Sequence, residues 1–349
     1  MVTILDVAQR ARVSPATVSR VLNHSSHAVS EEVRRRVIVA ARRLGYFPNL
    51  LARSLLKRET SAIGVLVPDV SNPYYAVILR GIEDAAGTSG RAVVVCNTDR
   101  RRDKLQSYLR ALLERRVDGL IIAGGTVHVS DLKAIRALPP AVAVGRHPVR
   151  LPSVRVDNVQ AAATATQHLL ALGHRRIGFL AGPPTSWTAR DRLDGYRRAL
   201  RRAGLTPRAR DVAVGEFSLA GGLAGTVRLL GSPHRPTAIV ASSDQMAIGA
   251  LRALHDRGLR VPEDVSVVGF DDSPLAPYVV PALTSVAIPM YEIGRQALLL
   301  LLRLIEEGRS SSLVLPTELQ VRESTAPPPG MESRARAGRP VLLVSRGDG

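Results

Sequence analysis

Cysteine, lysine and aromatic residues are scarce in this chain. Of its 349 residues one is cysteine, three are lysine and 3% are aromatic. A single cysteine excludes an intramolecular disulfide, and Cys96, inside an apolar run, is expected to be a small core residue. The longest apolar run, residues 297–302, is too short to cross a bilayer. No basic and then apolar leader opens the sequence. We therefore expect a cytoplasmic protein without membrane contact.

The motifs of common catalytic sites are absent as well. The sequence contains no Gly-x-Ser-x-Gly, His-Glu-x-x-His, Cys-x-x-Cys or Walker-type Gly-x-x-x-x-Gly-Lys pattern. Its eight histidines are scattered, and the His24 and His27 pair has no further metal ligand nearby. We expect neither an enzyme nor a metal or cofactor site.

Basic charge is abundant and concentrated near the start of the chain. The formal net charge is +18, from 48 basic and 30 acidic residues. Residues 1–58 contain eleven basic residues against three acidic ones. With 45% hydrophobic and 22% charged residues, the chain as a whole is typical of a globular protein. The excess of charge in the first sixth of the chain indicates a nucleic-acid-binding domain.

Residues 4–23 read as two short amphipathic helices separated by a tight break. Ser14 suits the N-cap of the second helix, and Pro15 suits its first position, which needs no backbone N–H. Val18 and Val21 form the apolar stripe of that helix, so its small polar residues and one arginine face outward. This arrangement predicts a helix-turn-helix, and an ordinary helical hairpin is the alternative.

The exposed face of the second helix suits base edges in a DNA groove. Arg20 can bond a guanine through both arms of its guanidinium, and small neighbours let the helix approach closely. A third helix, capped by Ser30 and ended by Gly45, completes a headpiece.

A short basic segment follows the headpiece at residues 48–58. It has helical spacing and four leucines in seven residues, but helices this short are marginal in water. Two copies side by side on DNA could bury Leu51 and Leu55 and insert a leucine into a minor-groove base step. The alternative is a simple linker.

From residue 62 to 270, apolar strands alternate with helices. Such strands predict parallel sheets covered on both faces, and two runs divided around residues 157–158 predict two doubly wound subdomains. Ligands of such sheets bind beyond the carboxyl ends of the strands. That rule selects the loops at residues 68–75, 145–147, 182–192, 215–217, 242–244 and 269–272.

These residues together resemble the lactose-repressor/galactose-repressor family of bacterial transcription regulators. The resemblance covers residues 3–325 and rests on an ordered series of short motifs. They include Asp6-Val-Ala, Thr17-Val-Ser-Arg-Val-Leu-Asn23, Pro48-Asn49, Ala52-Arg-Ser-Leu55, Arg115-Arg-Val-Asp-Gly-Leu120, Leu172-Gly-His-Arg-Arg-Ile177, Asp264-Val-Ser-Val-Val-Gly-Phe-Asp-Asp272 and Pro281-Ala-Leu-Thr-Ser285.

The resemblance implies a domain plan. A helix-turn-helix headpiece would occupy residues 1–47 and a hinge helix residues 48–59. An effector-binding and dimerisation domain of periplasmic-binding-protein type would follow at 60–325. Its N-subdomain would comprise 60–157 plus 288–325, and its C-subdomain 158–287. The Pro/Gly/Arg-rich residues 326–349 are expected to be disordered.

The resemblance also implies roles for individual residues. The DNA contacts would come from Ser14, Pro15, Ala16, Thr17, Ser19, Arg20, Asn23, Asn49, Ala52, Arg53 and Leu55. The effector contacts would come from Tyr74, Tyr75, Arg192, Phe217, Ser243 and Asp271. Four further effector contacts are expected because the residues line the same strand ends: Asp69, Asn72, Arg146 and Trp187. Family members bind pseudo-palindromic double-stranded operators as dimers, and the lack of a leucine-heptad tail here favours a homodimer.

The sequence departs from the family pattern in the headpiece. Arg12 stands where the turn usually has Gly or Asn, so a left-handed backbone there carries a cost. Pro15 and Ala16 offer no side-chain hydrogen bonds, which leaves more of the specificity to Arg20 and to groove shape.

The effector residues suggest a ligand class. Arg192 opposite Asp271 suits vicinal hydroxyls, which both donate and accept hydrogen bonds. Aromatic residues in the same loops can pack on a sugar ring or stack on a nucleobase, unless some belong to the core. A sugar or sugar derivative is the first hypothesis, and a nucleobase or nucleoside is the second. A transport-type solute-binding protein would share the two subdomains but would not need the headpiece.

Overall fold

The computed structural model describes residues 2–22, 29–46, 60–124, 139–147 and 150–330. The chain divides after Thr60 into two compact units. The described part of the first unit consists of three helices: α1 (Ile4–Ala11), α2 (Pro15–Leu22) and α3 (Glu31–Leu44). Their core is small and apolar, with Val7, Val18 and Val37 fully buried.

The ends of these helices are where the sequence placed them. The Thr17 N–H donates to Ser14 Oγ at 3.2 Å, which makes Ser14 the N-cap before Pro15. The left-handed Gly45, at φ 64°, ends α3. Arg12 ends α1 in the same left-handed region, at φ 53°. The strain expected at Arg12 is therefore present in the turn of the helix-turn-helix.

The second unit contains two six-stranded sheets. In the first, the strand order is β11-β5-β4-β3-β1-β2, and all neighbours are parallel. In the second, the order is β12-β10-β9-β8-β6-β7, and only the edge strand β12 is antiparallel. The strands are β1 (Ala62–Val67), β2 (Ala92–Asn97), β3 (Gly119–Ala123), β4 (Ala141–Val144), β5 (Ser153–Val156), β6 (Ile177–Ala181), β7 (Val212–Val214), β8 (Ala238–Ala241), β9 (Ser266–Asp271), β10 (Thr284–Ala287), β11 (Leu313–Leu315) and β12 (Glu318–Gln320).

Helices cover these sheets, as the nearly continuous apolar strands require. In register, β1 Val65 lies between Val95 of β2 and Ile121 of β3. The helices are α4 (Pro73–Thr88), α5 (Arg102–Glu114), α6 (Asn158–Ala171), α7 (Trp187–Arg202), α8 (Leu219–Leu230), α9 (Asp244–His255) and α10 (Met290–Glu307). None of the helices in the described ranges is long and apolar enough to span a membrane.

The chain passes between the two subdomains three times. It leaves the first sheet after β5, returns from β10 to α10, and crosses again between β11 and β12. The expected assignment of residues 288–325 to the N-subdomain is therefore wrong at its end. Strand β12 pairs with β10 in the second sheet, and Ser324 Oγ donates to Val267 O at 2.6 Å.

The described chain also continues past the expected start of the tail. The Ala326 carbonyl accepts hydrogen bonds from Ser266 Oγ at 3.0 Å and from the His174 ring at 2.8 Å. Residues 326–330 thus belong to the structured part, and the rest of the predicted tail lies outside the described residues.

Helices α4 and α10 approach closely across the N-subdomain. A Cβ atom added to Gly81 would lie 2.1 Å from the Tyr291 carbonyl oxygen, and one added to Gly294 would lie 2.0 Å from the Ile78 carbonyl oxygen. Only glycine fits at both positions, so the two backbones pack directly against each other.

Candidate functional site

A cleft lies between the carboxyl ends of the two sheets. It encloses about 570 Å³ of space, part of which is open to solvent. It combines residues from both subdomains, as expected for a ligand site between doubly wound sheets. The residues expected to contact effector that line it are Asn72, Tyr74, Tyr75, Arg192, Phe217, Ser243 and Asp271.

The floor of the cleft is built around Arg192 on α7. This arginine is only 3% exposed. Its Nε donates to Asn158 Oδ1 at 2.8 Å, and Nη1 donates to the Ser242 carbonyl. Nη1 also lies 3.5 Å from Asp271 Oδ1. The buried cation is thus held in one orientation, with the carboxylate beside it and facing the cavity.

Asp271 ends β9 in an unusual environment. Its φ is 108°, which is unusual for a residue with a side chain, and only 6% of it is exposed. Burial raises the pKa of Asp271 to about 7, although Arg192 opposes the shift. Burial also raises the pKa of the neighbouring Asp244 to about 6. A carboxyl whose pKa lies near neutral pH is present in both forms. The ionised form accepts from a ligand hydroxyl, and the protonated form can donate to a ligand oxygen.

We expect the stability effect of Asp271→Asn to depend on pH. A raised pKa means that the folded state holds the proton more tightly than the unfolded state. The contribution of Asp271 to the stability of the folded state is full below the ordinary pKa of an aspartate and is lost as the pH rises through about 7. Asparagine does not titrate, so the variant should gain stability relative to wild type between pH 5 and pH 8.

Urea unfolding across that range measures this difference. Asp264→Asn is the matched control, because hydrogen bonds from Arg260 lower the pKa of Asp264 to about 2. The free energy of unfolding of Asp264→Asn should fall further below that of wild type as the pH rises from 2 to 5, and the gap should stay constant above pH 5. A pH-independent difference for Asp271→Asn would show that this carboxyl does not titrate above pH 5.

Three aromatic residues wall the cleft. Tyr74 and Tyr75, at the start of α4, meet edge to face with ring centroids 5.1 Å apart. Burial raises the pKa of Tyr75 to about 12, so both tyrosines stay neutral O–H donors. Phe217 lies against Gly182, where an added Cβ would be 2.3 Å from the ring. These faces offer apolar packing on a flat or ring-shaped ligand.

Two further residues expected in the cleft are Asn72 and Ser243, and each also caps a helix. Asn72 Oδ1 accepts from the Tyr74 N–H at 3.0 Å, and Ser243 Oγ accepts from the Met246 N–H at 3.3 Å. Capping fixes the side chains and leaves each a donor for a ligand.

Three residues expected to contact effector do not line the cleft. Asp69 Oδ1 accepts from the N–H and hydroxyl of Ser71, at 3.0 and 2.6 Å. Arg146 binds Asp191 at 2.7 Å, and its guanidinium lies 4.6 Å from the centre of the Trp187 ring. Arg190 also lies over this ring, at 5.1 Å. The two arginines stack on the tryptophan, so Arg146 and Trp187 form a polar link at the rim.

Six further residues line the cleft: Arg100, Gly124, Val144, Gly145, Ser186 and Thr188. Gly145, Ser186 and Thr188 belong to loops that the strand-end rule selects, whereas Arg100, Gly124 and Val144 lie outside those loops. Arg100 follows β2 and Gly124 follows β3, so the strand-end rule would have found both had it been applied to these two strands. Gly124 and Gly145 adopt positive φ, which allows their backbones to approach the cavity.

In the headpiece, α2 presents the predicted DNA-binding face. Ser14, Pro15, Ala16 and Arg20 are exposed, and Thr17 and Ser19 are half-buried. Ser14 Oγ and Thr17 Oγ1 lie 2.9 Å apart and share one hydrogen bond. The remaining predicted contacts lie outside the described residues: Asn23, Asn49, Ala52, Arg53 and Leu55.

The three acidic residues of the headpiece are all engaged locally. Asp6 accepts from the N–H and hydroxyl of Thr3, at 2.7 and 2.8 Å. Glu31 pairs with Arg34 at 3.5 Å, and Glu32 with Arg36 at 3.9 Å. The arginines without an acidic partner in the described headpiece are Arg10, Arg12, Arg20, Arg35, Arg42 and Arg43. Their charge remains available to a polyanion.

Comparison with known proteins gives matches over both units. The family model for bacterial regulatory proteins of the lacI family matches residues 3–49, and the model for a periplasmic binding protein-like domain matches residues 166–325. Catabolite control protein A of Priestia megaterium is 39% identical over 333 residues, which is 93% of this chain and 99% of that protein.

Two solved structures are similar along nearly the whole chain. The lac repressor dimer bound to operator and the anti-inducer ONPF has a TM-score of 0.83 and 33% identity, covering 93% of this chain and 99% of that one. The complex of the transcriptional regulator CelR with cellobiose has a TM-score of 0.68 and 34% identity, covering 93% of this chain and 100% of that one.

Proposed function

Because the chain belongs to the lacI family of bacterial regulatory proteins, we propose that it is a dimeric cytoplasmic repressor. It binds a pseudo-palindromic operator through α2, and a sugar or sugar derivative in the cleft sets its affinity for that operator. The chain is a DNA-binding transcriptional regulator and not an enzyme. The operator contacts, the effector class and the dimer are the parts that we propose.

The exposed face of α2 supports the operator contacts. Arg20 is exposed on the helix that follows the turn, and the acids of the unit are engaged elsewhere. An arginine in that position can bind guanine O6 and N7 together. Leu55 would act as a minor-groove wedge on the evidence of the sequence alone.

We expect Arg20→Ala to weaken operator binding by about 5- to 150-fold, because a bidentate base contact is worth ~1–3 kcal/mol. Arg35→Ala removes the same charge from the exposed face of α3 and serves as the control. Fluorescence anisotropy with the promoter region of the protein's own gene and with a scrambled duplex measures both variants. Equal losses for the two variants on both duplexes would contradict base recognition by Arg20.

The observation that carries the effector proposal is the Arg192 and Asp271 pair in an aromatic-walled cavity. The pair offers a fixed donor and an acceptor 3.5 Å apart, which matches adjacent hydroxyls of a sugar. The tyrosines and Phe217 supply the apolar faces that a sugar ring packs against. The related regulator CelR has been solved in complex with the sugar cellobiose.

The preformed operator complex is the assay for this proposal. Sugars, nucleobases and nucleosides are added, and operator affinity, Trp187 fluorescence and the melting temperature are followed. A sugar should change all three. A response to nucleosides alone would favour the second hypothesis, and binding without any change in operator affinity would contradict control of operator binding by that ligand.

A further inference from the structure

A second arginine reaches the cleft from the opposite side to Arg192. Arg100 follows β2 in the N-subdomain, whereas Arg192 belongs to α7 of the C-subdomain. Arg100 lines the 570 Å³ cavity. It also lines an adjoining outer chamber of about 620 Å³ that shares Tyr75, Ser186 and Phe217 with it. A ligand that contacts both arginines would therefore bridge the two subdomains.

The acidic residues of the loop around Arg100 pair with other side chains of that loop. Asp99 and Arg100 both adopt the left-handed region, at φ 50° and 57°, a cost for residues with side chains. Asp99 accepts from Asn97 Nδ2 at 2.7 Å and pairs with Lys104. Arg101 pairs with Asp103. The neighbouring charges are thus matched with each other and not with Arg100.

Three other carboxylates near the cavity bond to partners other than Arg100. Asp271 faces Arg192, Asp191 pairs with Arg146, and Asp69 accepts from Ser71. Glu216 lines the outer chamber together with Arg100, but the two do not form an ion pair in the described part of the chain. Within the described ranges, Arg100 is therefore a half-buried cation at the ligand site without an acidic partner. Its charge also acts on Tyr75, whose pKa it lowers against the effect of burial.

A half-buried guanidinium is stabilised most by an anion that it can bond directly. We propose that the effector is an anionic sugar. Arg192 and Asp271 would hold its vicinal hydroxyls, and Arg100 would bind a phosphate or carboxylate on the same molecule. This inference rests on the proposed function and narrows its ligand class. Because the two arginines stand on different subdomains, such a ligand holds the cleft together by its two ends.

Matched pairs of neutral and charged sugars test the proposal on the full-length protein. The probes are glucose, glucose 6-phosphate and glucuronate, and ribose with ribose 5-phosphate. Calorimetric titration measures binding. At low salt, one charged member should bind at least ~10-fold more tightly than its neutral parent, equivalent to ~1.4 kcal/mol. The preference should shrink as salt is added. Glucuronate and the phosphates distinguish a carboxylate from a phosphate.

Variants at neighbouring arginines identify the residue responsible. Arg100→Gln should reduce affinity for the charged sugar to about that of its neutral parent, and Arg100→Lys should restore part of the preference. Arg101→Gln, one residue away and directed to Asp103, should keep it. A charged preference that survives Arg100→Gln would overturn the assignment to this residue.

The failures of the two proposals differ. A neutral sugar that binds as tightly as its charged partners would overturn the anionic effector and leave the sugar-responsive cleft intact. If no sugar of either kind binds, both proposals fail.

Discussion

Replacing Arg192 by methionine is expected to weaken effector binding by about 30-fold or more and to destabilise the second unit at the same time. The guanidinium bonds Asn158, the Ser242 carbonyl and Asp271, and its face lies 4.3 Å from the centre of the Phe270 ring. Removing one partner of a buried, hydrogen-bonded charge pair typically costs ~2–5 kcal/mol in binding, which is about 30-fold or more in affinity. Calorimetric titration with the effector measures this loss.

The same substitution leaves Asp271 buried without its cation. We expect the free energy of unfolding to fall by about 3 kcal/mol or more at pH 8, where Asp271 is ionised. At pH 5 the loss should be smaller, because a carboxyl with a raised pKa takes up a proton instead.

The double variant Arg192→Met/Asp271→Leu separates the two effects. It removes both charges and fills their space with apolar atoms, so stability should recover while binding stays weakened. If the double variant bound effector as wild type does, the pair would not be part of the ligand site. If it remained as unstable as the single variant, loss of packing rather than an unpaired carboxyl would be the cause.

Gly81→Ala is expected to lower the free energy of unfolding by ~1–3 kcal/mol or more. The new methyl would lie 2.1 Å from the Tyr291 carbonyl oxygen and 3.0 Å from the Arg295 nitrogen, both backbone atoms of α10. Since backbone cannot rotate away as a side chain can, α4 and α10 would have to separate. Urea unfolding monitored by circular dichroism gives the change in free energy.

Gly87→Ala is the control on the same helix. Nothing lies within 4 Å of the position that its Cβ would occupy. Alanine is a better helix former than glycine, so this variant should be neutral or more stable by up to ~1 kcal/mol. Equal destabilisation by the two substitutions would mean that the close approach of α4 and α10 does not limit the residue at 81.

Local sequence signals predicted the parts of the fold that local physics controls. Ser14 before Pro15 and Ser30 before an acidic turn marked helix starts that the structure confirms through hydrogen bonds. Gly45 marked the end of α3. The alternation of apolar strands and helices predicted two doubly wound sheets, which the observed strand orders confirm.

Residues 284–320 were beyond the reach of the same signals. The apolar run 297–302 is too short for a membrane span and belongs to α10. Strands β10 to β12 have three or four residues each, too few for a clear alternation. The sheet that a short strand joins is set by its pairing partner. For β11 that partner is β5, more than a hundred residues earlier in the chain.

The cleft residues are also only partly predictable from the sequence. Strand ends locate the loops, and seven of the expected residues line the cavity. The sequence does not give the direction of a long side chain, which is set by its ion pairs. Arg146 and Trp187 lie at the correct strand and helix ends, but Asp191 holds the arginine at the rim. Arg100 has no such partner among the described residues and lines the cavity instead.

The three passages between subdomains have a consequence for the order in which the protein can be built. The N-subdomain begins at β1, yet α10, which packs on α4, and the edge strand β11 come from residues 290–315. The second sheet likewise receives β12 from residues 318–320. Domains form from the N-terminus onward as a chain emerges from the ribosome.

The three-helix unit has all its described helices within the first 44 residues and can fold early. Both halves of the ligand site must wait for nearly the last stretch of the described chain, so the regulator acquires its DNA-reading element long before it can sense a ligand.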